Sequence, residues 1–367
     1  MKSGNKKKTV EVEAKKRAIL VSIWNPDVEL YFDELEELLA NIGIECVGRV
    51  VQKIERADRK TYLGPGKIEE LKLFADSEGI DFVVFDDELS SLQRRILKND
   101  MGFSLLDRTE VILRIFAMNA GSNEAKLQVE LAALKYSIPE IGEMTKGASR
   151  AGGGIGAKGS GEKEGEYKRR NIIGRIRRIE QEIESIKNRI TQQKQGRDKR
   201  RAKIVSLVGY TNAGKSTLMN ILTGAGVLEE NRVFSTLDTK LKRMYSITNK
   251  EVLVSDTVGF IRKLPHVLVA SFKSTLDTVK YSDLILHVVD VSKETFKQDI
   301  EVTESILDEI GAAAPKKIYV FNKIDICNSL ENIHIEIDAK YENAIFISAA
   351  KKINITDLIE KIEALLE

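Results

Sequence analysis

The sequence predicts an α/β protein: a small parallel α/β domain first, then a helical hairpin arm, then a doubly wound α/β domain. Three observations lead there. Residues 17 to 120 alternate short apolar runs with helix-period segments, the pattern of a parallel sheet with crossover helices. Two later segments carry narrow apolar stripes with heptad-like steps of four and three. From Ala202 to Glu367 the order is strand, glycine loop, helix, strand, strand, helix, strand, helix, strand, helix.

A chain of 367 residues holds two or three ordinary domains, and its 42% hydrophobic and 31% charged content is that of a soluble globular protein. No apolar run approaches the roughly 20 residues that cross a bilayer, so no stable membrane insertion is expected. Residues 1 to 16 read as a disordered basic tail without the apolar stretch of a secretory signal. The two cysteines, Cys46 and Cys327, lie far apart and form no metal-spacing motif, which suits a reducing, cytoplasmic compartment. His266, His287 and His334 are too scattered for a metal site. With a net charge of only +2, any argument for a nucleic-acid partner must be regional.

In the first domain, residues 17–122, RAILVSIW (17–24) reads as a strand and DVELYFDELEELLANIG (27–43) as a helix stopped by Gly43. IECVGRVVQKI (44–54) is a second strand, PGKIEELKLFADSEG (65–79) a helix, and IDFVVFDD (80–87) a third strand. LSSLQRRILKND (89–100) is another helix, and Trp24 is expected in the core. The arm spans residues 123–201. Leu127, Leu131, Leu134 and Ile138 form one stripe; Ile172, Ile176, Ile179, Ile183, Ile186 and Ile190 form the other. Between them, residues 144–165 are rich in Gly, Lys and Ser and are expected as a long tip loop. Lys163 to Lys203 carries fifteen basic residues against six acidic ones, with Arg169, Arg170, Arg175, Arg177, Arg178 and Arg189 crowding one face. Such a stripe can neutralise phosphates, so RNA contact is expected of the arm.

The domain at 202–367 opens with KIVSLVGYTNAGKSTLMNILTG, an apolar strand, the spacing Gly209–x4–Gly214-Lys215-Ser216, and a helix. This is a phosphate-binding loop: Gly209, Tyr210, Thr211, Asn212, Ala213, Gly214, Lys215, Ser216 and Thr217 wrap a nucleotide's phosphates with backbone N–H groups. Lys215 can reach the β and γ phosphates and Ser216 can ligate Mg²⁺. DTVG places Asp256 at a strand end to hold Mg²⁺ through water, followed by Thr257, Val258 and Gly259, whose N–H can meet a γ phosphate. NKID supplies Asn322, Lys323, Ile324 and Asp325; the aspartate can accept from guanine N1–H and its exocyclic amine, a match adenine lacks, and losing such a match costs a factor of about 10⁴ or more. Ser348, Ala349 and Ala350, in ISAAK, would cover the base edge. Order and spacing together predict a P-loop GTPase domain binding GTP and GDP with Mg²⁺. FSTLDTK offers Thr236 and Thr239 as the residue that coordinates Mg²⁺ only when the γ phosphate is present.

Several stretches resemble the HflX family of ribosome-associated GTPases: YLGPGKIEEL (62–71), LDRTEVILRIFAMNA (106–120), KLQVELAALKY (126–136), GGGIGAKGSGE (152–162), FSTLD (234–238) and DTVGFIRKLPHVLVASFKSTLDTVKYSDLILHVVD (256–290). The resemblance covers about residues 17 to 367. It implies that Thr236 is the switch residue, within Phe234, Ser235, Leu237 and Asp238, and a third metal ligand beside Ser216 and Asp256. It implies binding to the large ribosomal subunit and stress-linked dissociation of stalled or idle ribosomes. The family often has proline where Ser91 and Ser160 stand here, and some members carry a further C-terminal domain that is not read in this sequence.

Many GTPases place a water-orienting glutamine after the DxxG glycine; here Phe260 stands there. Turnover is still expected, because phosphoryl transfer is mostly positioning and charge stabilisation by Lys215, Thr236 and Gly259. Either a partner completes the site, or a potassium ion does, with Asn212 as a candidate ligand that otherwise only caps the loop. Phe260 itself is expected to be structural, packed on the switch helix. The alternative function is a regulatory GTPase switch with a non-ribosomal protein or membrane partner docking on LPHVLVASF (264–272). A monomer is expected.

Overall fold

The computed structural model describes residues 15–150, 160–195, 202–224, 234, 240–245, 251–271, 278–312, 315–327, 333–335, 337 and 340–367. The chain forms two compact units, residues 1–111 and 112–367.

Unit 1 is a four-stranded, all-parallel sheet in the order β2-β1-β3-β4. The strands are β1 (Lys16–Ile23), β2 (Ile44–Gln52), β3 (Phe82–Phe85) and β4 (Ser104–Asp107). Ala18 to Val21 are all at most 1% exposed, as expected of a central strand covered on both faces. Ile19 pairs with Val83 and Val21 with Phe85, so these four side chains share one face with Leu63, Leu71, Ala75 and Leu97. Local chemistry sets the helix ends. Helix α1 (Val28–Asn41) stops before Gly43, at φ +73°. Helix α2 (Pro65–Glu78) begins on proline, whose missing N–H costs nothing in a first turn, and ends at left-handed Gly79. Helix α3 (Ser91–Met101) starts with a capping box: the Ser90 hydroxyl accepts from the Gln93 N–H, and Gln93 Oε1 accepts from the Ser90 N–H. The first three strands and three helices match the expected segments. β4 and helix α4 (Arg108–Asn119) had no separate sequence signal. Trp24 differs from expectation: it lies just past β1, is 53% exposed, and its backbone N–H donates to the Gln52 carbonyl.

The arm, in unit 2, is α5 (Asn123–Arg150) packed on α6 (Ser160–Gln195). A parallel pairing would require nine residues, 151–159, to span α5's 28 residues, about 42 Å of helix. Nine residues reach at most about 32 Å, so the pair is antiparallel. Leu127, Leu131, Ile176, Ile179 and Ile183 are buried along the seam, flanked by Leu134, Ile138, Ile172 and Ile186. Helix covers both ends of the expected tip loop, because α5 continues to Arg150 and α6 begins at Ser160. A glycine costs about 1 kcal/mol in a helix interior, too little to stop a helix already propagating. Residues 151–159 lie outside the described residues.

The second sheet has six strands in the order β10-β9-β8-β5-β7-β6, with only β6 antiparallel. They are β5 (Lys203–Gly209), β6 (Lys240–Arg243), β7 (Val252–Asp256), β8 (Leu284–Asp290), β9 (Lys316–Asn322) and β10 (Ala344–Phe346). Helices α7 (Lys215–Thr223), α8 (His266–Ser271), α9 (Phe296–Glu309) and α10 (Ile355–Leu365) accompany them. Chain order reverses about β5, which has β7 on one side and β8 on the other; ligands of such sheets sit at the carboxyl ends of strands at this point. Among the described residues no helix is long and apolar enough to cross a membrane.

Candidate functional site

Strand β5 ends at Gly209, and the loop 209–214 turns the chain into α7. Each glycine has a steric reason. A Cβ on Gly209, at φ +146°, would stand 2.2 Å from the Val288 carbonyl oxygen of the neighbouring strand. A Cβ on Gly214, at φ +92°, would meet Asn322 Nδ2 at 2.3 Å. Both the turn and the close approach exclude a side chain. Asn212 also takes a left-handed backbone, φ +64°, which asparagine tolerates better than most residues. Ala213 is fully buried, while Thr217 is half-buried on the first turn of α7.

Lys215 lies within the loop it follows. Its ammonium donates to the carbonyls of Gly209 at 3.0 Å and Tyr210 at 2.7 Å, and the residue is only 7% exposed. Burial pulls its pKa down to about 8, against the opposing pull of the Asp256 carboxylate. Ser216 Oγ donates to Asp256 Oδ2 at 3.0 Å. A hydroxyl and a carboxylate converging at the end of β7 are hard oxygen donors, and this donor set fits Mg²⁺. Thr257 turns its hydroxyl away, to the Leu207 carbonyl at 2.7 Å, and Val258 is buried. A Cβ on Gly259 would lie 2.9 Å from Thr211 Cγ2 and 3.1 Å from Lys215 Nζ, so only glycine lets this segment lie on the phosphate loop.

Asn322, at the end of β9, bridges two loops. Its Nδ2 donates to the Ala213 carbonyl at 2.9 Å and its Oδ1 accepts from the Ala349 N–H at 2.9 Å. Asp325 sits on the one-turn helix 324–326 that starts at Ile324, and its Oδ1 accepts from the Ser348 hydroxyl at 2.6 Å, which fixes the carboxylate's direction. Ala350 follows in the exposed turn. Sequence reasoning missed Asp290, at the end of β8. Its Oδ2 pairs with Lys323 Nζ at 2.7 Å, and its Oδ1 accepts from the N–H and hydroxyl of Ser292. Its signal was available: a carboxylate closing the apolar run LILHVV on the strand edge where ligands bind.

Of the switch segment, Phe234 is described. It is buried, its ring meets Phe116 edge-on at 4.6 Å, and its carbonyl accepts from Asn119 Nδ2 at 2.8 Å. Ser235, Thr236, Leu237, Asp238 and Thr239 lie outside the described residues. Phe260 is structural, as expected, and among the described residues its cluster holds no side chain of α8. It is 1% exposed, within a cluster of Val208, Val279, Ile285, Ile306 and Leu307. Its side chain points into the sheet and α9, so it could not reach a nucleotide.

The GTPase HflX of Caldanaerobacter subterraneus subsp. tengcongensis is 44% identical over 351 residues, 95% of this chain and 80% of the relative. The chain belongs to the HflX family of GTPases. The GTPase HflX of Escherichia coli is 37% identical over 354 residues, 95% of this chain and 82% of that one. Family models match in three blocks: GTP-binding GTPase N-terminal over residues 29–117, GTP-binding GTPase Middle Region over 119–197, and 50S ribosome-binding GTPase over 204–323. A GTP-binding protein from the archaeon Sulfolobus solfataricus, solved with GDP, is 27% identical; the match covers 96% of this chain and 98% of that one at a TM-score of 0.50. This HflX-family chain therefore binds GTP and GDP and hydrolyses GTP.

Proposed function

We propose that GTP sets this protein's affinity for the large ribosomal subunit and that the bound protein dissociates stalled or idle ribosomes under stress. The observation that carries the reading is the charge on the arm. Arg169, Arg177 and Arg178 of α6 are exposed and make no ion pair among the described residues. Two other arginines of the stripe are spent inside the arm, Arg170 on Glu166 and Arg175 on Glu130, and the Arg189 side chain lies outside the described residues. The unspent charge suits phosphate contacts with ribosomal RNA. The matched family model, 50S ribosome-binding GTPase, and the HflX relatives point the same way.

Within the site, Ser216, Asp256 and Thr236 would hold Mg²⁺. When bound there the ion neutralises the β and γ phosphate oxygens. Lys215 binds those oxygens, the Gly259 N–H meets the γ phosphate, and Asn322, Asp325, Ser348 and Ala349 orient guanine. Asn212 is proposed as a ligand for a potassium ion. We place the protein in the cytoplasm as a monomer, with domains at 17–122, 123–201 and 202–367. The competing reading, a switch whose partner docks on 264–272, is disfavoured: α8 already packs on α5, and Leu268 is 1% exposed.

The test is GTP turnover in potassium buffer with and without purified large subunits. A rise of about 100-fold or more is expected, because groups supplied in trans can contribute about 10³ to 10⁵. Co-sedimentation in the GTP-analogue state should weaken with salt and with joint neutralisation of Arg169, Arg177 and Arg178. An unchanged pellet for that variant would remove the arm from the contact, and no stimulation would remove the ribosome from the catalytic step.

A further inference from the structure

The segment after Gly259 is tied to the phosphate loop twice. The first tie is backbone: the Phe260 N–H donates to the Gly209 carbonyl at 3.1 Å, and the Thr211 N–H donates to the Phe260 carbonyl at 2.8 Å. The second is a chain of side chains. The Tyr210 hydroxyl accepts from the Arg262 backbone N–H at 2.8 Å and from Arg262 NH1 at 3.1 Å. The guanidinium also lies 5.0 Å from the centre of the Tyr210 ring. Its NH2 then pairs with Asp299 Oδ1 on α9 at 2.5 Å, with Gln298 Oε1 beside it at 3.4 Å. Tyr210, Arg262 and Asp299 are 5%, 7% and 4% exposed.

This arrangement has two chemical consequences. Arg262 lies close in sequence to Gly259, yet its charge is consumed by Asp299 and its planar face by Tyr210, so it is no arginine finger. The chain instead fixes where Gly259 lies. Tyr210 belongs to the phosphate loop and Arg262 to the segment that Gly259 begins, and α9 anchors Arg262 through Asp299. A group that holds the Gly259 N–H in place before the γ phosphate arrives lowers the reorganisation needed in the transition state. With Phe260 turned into the core, the pinning orders the backbone of this segment and supplies no side chain toward water.

We propose that Tyr210 and Arg262, backed by Asp299, are positioning residues for GTP hydrolysis: they hold Gly259 against the phosphate loop through the Tyr210 hydroxyl and the Arg262 guanidinium. The proposal rests on Gly259 being the γ-phosphate contact, so its test separates the two.

In the full chain, Tyr210→Phe removes one hydroxyl and no packing. It should lower kcat about tenfold, keep GDP affinity within about twofold, and cut the preference for a non-hydrolysable GTP analogue over GDP about fivefold. Arg262→Lys keeps the pair with Asp299 and the backbone N–H bond to the Tyr210 hydroxyl but loses the guanidinium's bond to it, so it should shift the same values in the same direction by a smaller factor. The double variant should be no slower than Tyr210→Phe alone, because both act on one chain. Gly259→Ala is the control for the underlying reading, and should abolish discrimination between GTP analogue and GDP. If Gly259→Ala discriminates normally, the γ-phosphate contact is wrong. If Gly259→Ala behaves as expected while Tyr210→Phe keeps wild-type kcat, or loses GDP and GTP-analogue affinity equally, the positioning role is overturned. Circular dichroism and melting of Tyr210→Phe, expected to match wild type, keep a folding defect from imitating either result.

Discussion

The two sheets of this protein treat the carboxyl ends of their parallel strands in opposite ways. In unit 1, Asp86 and Asp107 sit at the ends of β3 and β4, where a ligand crevice would be sought. Both are fully buried and both are consumed internally. Arg108 holds Asp86 through Nε at 2.9 Å and NH2 at 2.7 Å, and its NH2 also donates to the Tyr31 carbonyl. Arg94 pairs with Asp107 and Glu110, each at 2.6 Å. In the second sheet, Asp256 and Asp290 end β7 and β8 and Asp325 follows β9 on its one-turn helix, but glycines at 209, 214 and 259 leave backbone where side chains would have filled the space. Acidic residues at strand ends are thus no site by themselves. What makes a site is whether the neighbouring chain spends their charge or leaves a concavity beside it.

The comparison is broken most forcefully at Arg108. Arg108→Ala strands a buried carboxylate, which costs about 3–5 kcal/mol. Unit 1 should melt early or fail to fold, while guanine-nucleotide binding by surviving protein is kept; urea unfolding alongside fluorescent-GDP titration reads both. Lys215→Ala should do the reverse. Turnover should fall about 10²- to 10³-fold, some 3–4 kcal/mol of barrier, with the urea midpoint unchanged or raised, because a desolvated ammonium is removed. If both variants lose stability and nucleotide together, the division into a sealed edge and an open one is wrong.

How much of this was legible follows from where the information sits. The phosphate loop was readable because its glycines and Lys215 are fixed by local backbone demands at short spacing. The heptad stripes were readable because Leu127 through Ile186 repeat with the period of the surface they bury. The sealing of unit 1 was not readable: Arg108 meets Asp86 across 22 residues and Tyr31 across 77, contacts only the tertiary fold creates. The Asp290–Lys323 pair was hidden for the same reason. Phe260 was half legible. Its chemistry excluded a water contact, but its direction depends on a bridge to Tyr210 that no spacing announces.

Phe260→Gln sharpens the comparison at the open edge. It exchanges a ring that is 1% exposed for an amide without room to hydrogen-bond. A loss of about 3 kcal/mol is expected from lost packing and a buried polar group. Basal GTP turnover should not rise, since the side chain faces the core; a large rise would show that residue 260 can swing to the nucleotide.

The smallest effect tests whether the second sheet also seals charge, away from its nucleotide edge. Glu304 of α9 accepts from Tyr319 Oη at 3.2 Å, meets His287 Nδ1 at 3.0 Å, and pairs with Lys317. Burial alone would raise the Glu304 pKa, but hydrogen bonds from His287 and Lys317 outweigh it and hold the carboxyl at about 2, below its ordinary 4.5. The folded state therefore binds fewer protons than the unfolded chain across that interval, so the pair's stabilisation is present above pH 4.5 and is lost as pH falls toward 2. His287 adds to the trend. Burial lowers its pKa below 6.5, so acid protonates the unfolded chain first and draws the protein toward it. Glu304→Gln should cost about 1–2 kcal/mol near neutrality while leaving GTP turnover unchanged. The gap to wild type should shrink in melts taken at progressively lower pH, because the wild-type carboxylate is being protonated toward the same neutral state. A gap that stays constant down to the acid limit would mean that shape rather than charge holds α9 on β8 and β9.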